Sequence, residues 1–178
     1  MSKLIIFDMD GTVVNSGPMI AKTINSVRHD LGLQPLDEKP TLEVLNDPDI
    51  NSARHFYGTD DFTKQQIALF ESYYDRYCLH ELKLYEGMAK LLAKHSREFT
   101  LTIATNAHTR FAQKILSHLD VGKYFDFVIG ADMVQTPKPH PQMLHDTMER
   151  FALPRDKTLL VGVSHKDRRA AEAAEIGR

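Results

Sequence analysis

Asp8 and Asp10 stand two residues apart at the end of a short apolar run, in the stretch IIFDMDGT from Ile5 to Thr12. In an extended backbone that spacing puts both carboxylates on one side, where they can share a ligand, and Gly11 permits a sharp exit. D-x-D-G by itself also describes a turn that merely ends a strand. At the end of a buried strand, however, two carboxylates repel each other unless a cation or a shared proton compensates. A hard divalent ion such as Mg²⁺ would supply that compensation and recruit phosphate. Thr105 and Asn106 add a hydroxyl, an amide and backbone N–H groups, all donors to an anion, although Thr-Asn before a helix is also a sound cap. Lys138 lies between Pro137 and Pro139, whose rings restrict the backbone and could hold the long side chain over a sheet edge instead of in solvent. Ser164 and Asp167 follow a further apolar run, Leu159 to Val163. Two acids, a hydroxyl and amide donor set and a fixed cation together meet the needs of phosphoryl transfer: nucleophile, proton donor and charge neutralisation.

These groups function together only if separate elements bring them to one place. Apolar runs predict strands at 4–7, 99–105, 127–129 and 158–163, each followed by one of the polar clusters. Helical spacing predicts helices from Ser16 to Leu31, around 41–45, over 62–77, through Leu91 and Leu92, around 111–119, from Pro141, and over 167–176. The expected fold is α/β, a Rossmann-like parallel sheet with helices on both faces. Residues 1–14 and 82–178 would form the core, with an all-helical block, 15–81, inserted just after the first strand. In such sheets ligands bind beyond the carboxyl ends of the strands, where all four polar clusters fall.

In this order the motifs resemble those of the haloacid dehalogenase superfamily of phosphotransferases. IIFDMDGT is similar to its first motif, TIATN to its second, TPKPHP to its third and LLVGVSHKD to an altered fourth. The segment GTVVNSGPMIAKTINSVRHDLGL resembles the phosphoglycolate phosphatase-like members, which carry a small helical cap. The resemblance implies that Asp8 is a nucleophile forming an aspartyl-phosphate. Asp10 would be the general acid and base, and Gly11, Thr105, Asn106 and Lys138 would bind the phosphoryl group of a small phosphorylated metabolite. Asp10 also separates this sequence from the metal-free dehalogenase members, which usually lack an aspartate there. Mg²⁺ would be held by the Asp8 carboxylate, the Asp10 carbonyl and acids of the fourth motif. Of these acids Asp167 is present, but Val163 follows Gly162 where the family pattern has aspartate. Losing an outer-shell partner costs about 10–100-fold in metal affinity, so losing a direct carboxylate predicts weak Mg²⁺ binding and low turnover. The alternative is an inactive relative that binds a phosphometabolite or a protein partner.

The remaining sequence excludes more than it adds. Of 178 residues, 42% are hydrophobic and 26% charged, and the formal net charge of -2, without a basic stripe, argues against nucleic-acid or membrane partners. A single cysteine, Cys78, suggests a buried hydrophobe in a reducing, cytoplasmic setting. The opening apolar run is interrupted by Asp8 well short of a signal peptide or a membrane span. His140 and His145 lack the spacing of a helical zinc pair. Arg28, Arg54, His55 and Lys64 in the inserted block are candidate substrate readers, with solvated charges as the simpler reading. Members of the family it resembles usually continue past the last helix into a further strand, whereas this sequence ends at Arg178. The strand at 158–163 is therefore expected to be an exposed edge, prone to self-association.

Overall fold

The computed structural model describes residues 3–80 and 82–178. Strand β1 (Leu4–Phe7) is followed by a two-residue strand β2 (Val14–Asn15), and then by the helices α1 (Gly17–Asp30), α2 (Glu38–Asn46), α3 (Ser52–Tyr57) and α4 (Lys64–Tyr77). β3 (Lys83–Leu84) pairs antiparallel with β2. The chain then alternates: α5 (Met88–His95), β4 (Thr100–Ala104), α6 (Thr109–His118), β5 (Phe127–Ile129), α7 (Gln142–Phe151), β6 (Thr158–Val161) and α8 (His165–Ala174). It forms two compact units, Met1–Asn15 with Lys83–Arg178, and Ser16–Leu82. Among the described residues no helix is long and apolar enough to cross a membrane.

The first unit is built on a sheet of order β5-β4-β1-β6, parallel throughout, with Ile5 opposite Leu101 on one side and Leu159 on the other. Because α6 links strands stepping one way across the sheet and α7 links strands stepping back, right-handed crossovers put them on opposite faces. Leu4, Ile6, Ala104 and Leu160 form one core with Met143, Leu144 and Met148 of α7 and Ala170, Ala171 and Ala174 of α8. Three alanines let α8 pack close to the sheet. Leu4 and Ile6 are fully buried, each worth about 1.5–3 kcal/mol in water exclusion. By the period of two, Phe7, Leu101 and Ile103 face the other side, where the Phe7 ring meets Phe125 edge-on at 6.1 Å.

The second unit is the helical block. Thr63 and Gln66 form a reciprocal capping box at the start of α4, and Cys78 ends that helix, buried. Apolar periodicity predicts no helix at α3, just after the break at Pro48, although Asn51 capping Arg54 N and Gly58 with φ 73° are ordinary start and stop signals. Of the candidate readers, Arg54 pairs with Asp60, and Arg28 donates to the carbonyls of Phe56 and Gln34. Both are anchored within their own unit.

Two expectations change at the end of the chain. β6 stops at Val161 instead of 163, because Ser164 caps α8, which begins at His165, two residues before the expected start, leaving Gly162 and Val163 in the turn between. The outer side of β6 is also not bare: Leu160 N donates to Gly177 O at 2.8 Å, and Gly177 N to Thr158 O at 3.3 Å. Leu159 remains 36% exposed.

Candidate active site

β1 is central in the sheet, and its neighbours β4 and β6 lead their following loops in opposite directions. In such sheets ligands bind where the strand order reverses, beyond the carboxyl ends of the strands, and Asp8 stands at that end of β1. Asp8 N donates to Val161 O at 2.9 Å, so the ladder runs one residue past the strand. Met9 O then accepts from Thr12, Val13 and Val14, closing a tight turn in which Gly11 adopts φ 81°, a conformation that disfavours side chains. The turn folds Thr12 back, and its hydroxyl donates to Asp8 Oδ2 at 3.2 Å. A Cβ on Gly11 would meet Val163 Cγ2 at 3.6 Å, so the valine methyl lies against this turn.

Lys138 reaches the same place from the loop after β5. Its backbone is clamped by the Asn106 side chain: Lys138 N donates to Asn106 Oδ1 at 3.1 Å, and Asn106 Nδ2 to Lys138 O at 2.7 Å. The ammonium then donates to Asp8 Oδ1 at 2.8 Å and to Asp167 Oδ1 at 2.6 Å. Asn106 thus positions the lysine, a role its residue type alone does not reveal. Thr105, 1% exposed at the end of β4, accepts from Ala107 N at 3.1 Å, which leaves its O–H as a donor.

Asp167 comes from the first turn of α8. Its Oδ2 accepts from Ser164 N at 3.0 Å and Ser164 Oγ at 2.6 Å, while Asp167 N donates back to Ser164 Oγ at 3.1 Å, a complete capping box. Gly162 makes this approach sterically feasible, since a Cβ there would lie 2.5 Å from Asp167 Cγ. The S-x-x-D spacing from Ser164 was a legible signal for the cap; the Gly162 contact and the bond from Thr12 had none.

The three buried charges shape one another. Burial pushes the Asp8 carboxyl up to about 6; Lys138 pulls against that shift, and Asp167 and Asp10 add to it. Burial also opposes the charged Lys138, but the Asp8 and Asp167 carboxylates outweigh it and hold the ammonium above the ordinary lysine value. For Asp167, burial is outweighed by Lys138 and Ser164, and its carboxyl lies below the usual range. At neutral pH the arrangement is an ammonium shared by two carboxylates.

This donor set does not fit a divalent cation well. Hard cations take oxygen ligands, and Val163, whose Cγ2 lies against the Gly11 turn, offers none. Both oxygens of Asp167 are already bonded, to Lys138 and Ser164. Among the described residues, no group of three or more His, Cys, Asp or Glu is arranged to hold a metal ion. Asp167 acts as counter-ion to Lys138 and as cap of α8, and the metal-ligand role that the resemblance implies would have to displace these bonds.

The chain is similar to known proteins in sequence and in fold. The sequence model of the haloacid dehalogenase-like hydrolase family matches residues 5–178. A phosphoglycolate phosphatase from Colwellia psychrerythraea is 30% identical over 184 residues, covering 98% of this chain and 81% of that protein. Another, from Escherichia coli K12, is 31% identical over 194 residues, covering 96% and 77%. Among solved structures, one described as a predicted phosphoglycolate phosphatase from Haemophilus somnus superposes with a TM-score of 0.84 at 28% identity, covering 98% of this chain and 83% of the other. A haloacid dehalogenase-like family hydrolase from Streptococcus pneumoniae has the same fold, with a TM-score of 0.84 at 24% identity and coverage of 98% and 82%.

Proposed function

The chain belongs to the haloacid dehalogenase-like hydrolase family, and from that footing we propose that it is a phosphatase of small phosphorylated metabolites working through an aspartyl-phosphate on Asp8. The observation that carries this reading is Asp8 itself, buried at the carboxyl end of the central strand with the Lys138 ammonium 2.8 Å from its carboxylate. Phosphoglycolate is the first substrate to test, because relatives of about 30% identity bear that name.

In this reading an Asp8 carboxylate oxygen attacks phosphorus in line with the ester oxygen. One P–O bond forms to Asp8 as the ester P–O bond breaks, and Asp10, entering as the acid, protonates the departing alcohol oxygen. Asp10 then takes a proton from water as the water attacks phosphorus, which frees Asp8 and releases phosphate. Lys138 and Thr105 offset the charge on the non-bridging oxygens, Asn106 holds Lys138 in place, and Gly11 keeps the approach open. In family members whose fourth motif is intact, Mg²⁺ supplies further charge neutralisation. Here Val163 would offer such an ion no oxygen ligand, so turnover is expected to be low.

The test is a phosphomonoesterase screen, with and without Mg²⁺, on the chain and on Asp8→Asn. The variant retains the volume but not the nucleophile, and turnover must vanish. Activity surviving in Asp8→Asn rules out the aspartyl-phosphate route. A second reading, a phosphometabolite binder without turnover, is favoured by the Val163 methyl lying against the Gly11 turn. Phosphate binding with no hydrolysis of any substrate would support it.

A further inference from the structure

Every oxygen of the two buried carboxylates already has a protein donor. Asp8 Oδ1 accepts from Lys138 and Oδ2 from Thr12, at 2.8 and 3.2 Å. Asp167 Oδ1 accepts from Lys138 at 2.6 Å, and Oδ2 from Ser164 N and Oγ. The Lys138 side chain is 2% exposed, so its charge is screened by these carboxylates and hardly at all by water. A divalent ion bound to Asp8 would stand beside this ammonium and be repelled by it, and Val163 contributes no oxygen to offset that repulsion.

The same features favour an anion. An ammonium has three N–H donors; two reach Asp8 and Asp167, and among the described residues the third has no acceptor and can serve an incoming oxygen. Thr105 adds an O–H at the end of the adjoining strand. With Val163 instead of an acid, the pocket carries one negative charge fewer for an anion to meet.

We infer that Lys138 is the resident counter-cation of this pocket, and that a tetrahedral oxyanion of the phosphate class binds here without a divalent metal ion. This rests on reading the Asp8 pocket as a phosphoryl site, and it deepens that reading by separating anion binding from metal binding.

The experiment is calorimetric titration with inorganic phosphate in EDTA and again in Mg²⁺, on the chain and on Val163→Asp. Residue 163 is 71% exposed, so the substitution leaves the core untouched. The chain is expected to bind phosphate in EDTA, with affinity altered less than about twofold by Mg²⁺. Val163→Asp is expected to bind phosphate about tenfold more weakly in EDTA, through the added negative charge, and to recover with Mg²⁺. Direct titration with Mg²⁺ should show Val163→Asp binding the ion at least about tenfold more tightly than the chain. Phosphate binding by the chain that requires Mg²⁺, no phosphate binding under either condition, or equal Mg²⁺ affinity in the two proteins would each overturn the inference. The broader reading fails separately. If Val163→Asp with Mg²⁺ hydrolyses phosphomonoesters while the chain needs metal to hold phosphate, the inference falls and the phosphatase reading survives. If the chain binds phosphate in EDTA but neither protein turns over any ester, the phosphatase reading falls and the inference stands.

Discussion

Replacing Lys138 by methionine keeps the length of the side chain and removes its charge. The side chain is 2% exposed and bonded to Asp8 and Asp167, whose side chains are 10% and 4% exposed. Removing one partner of a buried ion pair leaves the other charge uncompensated, a loss of about 3–5 kcal/mol. For a chain of this size each kcal/mol lowers the melting temperature by about 2–4 °C, so Lys138→Met should melt roughly 6–20 °C below the parent near neutral pH. The deficit should shrink on acidification, because an unpaired carboxylate can escape by taking a proton. In the parent, Asp8 already titrates at about 6 while Lys138 pulls its pKa down, so without the lysine Asp8 protonates at higher pH still. Adding Asp8→Asn should therefore restore much of the lost stability, through coupling between contacting residues. Thermal melts of the four proteins in EDTA across pH provide the measurement. A deficit below about 1 kcal/mol at neutral pH, or one unchanged on acidification and in the double variant, would refute the buried-charge argument.

Two further predictions use the same network. Because the folded pKa of Asp8 is raised to about 6 from 3.8, the folded state prefers its neutral form, and that contribution is lost as pH rises from about 4 through about 6. Asp8→Asn lacks this loss, so in EDTA its stability relative to the parent should grow over that interval; a difference independent of pH would contradict the shift. Asp167 is lowered and works in the opposite direction, contributing above 3.8 and losing that contribution as pH falls through its folded value. Gly162→Ala would put a methyl group 2.5 Å from Asp167 Cγ, forcing the carboxylate from both its cap and Lys138. Loss of the cap costs about 1 kcal/mol and of the charged bond about 1.5–3, so urea unfolding should show a loss of about 2–4 kcal/mol. A loss under about 0.5 kcal/mol would show that the Gly162 contact relaxes freely.

Much of the layout was legible in the residues themselves. The apolar run at Leu4 to Phe7, the break at Asp8, and the later alternation of strand and helix all follow from local periodicity and punctuation, which need no tertiary partner. α3 was lost because its six residues give too short a pattern between breaks, although Asn51 and Gly58 marked its ends. The apolar run predicts a β6 two residues too long because Gly162 and Val163 continue it, and hydropathy does not register a capping box that begins at Ser164.

The site divides along the same line. By itself the sequence determined which chemical groups are present: the paired acids Asp8 and Asp10, the donors at Thr105 and Asn106, a single cation at Lys138, and an apolar Val163 among them. Side-chain type and local spacing are covalent facts. Only the tertiary structure decided how those groups share their bonds, with Asn106 turned to the Lys138 backbone, Lys138 lodged between Asp8 and Asp167, and Asp167 drawn into the α8 cap instead of standing open to a metal. Lys138 lies 130 residues from Asp8 and 29 from Asp167, and such pairings depend on strand order, the reach of loops and the burial of each charge.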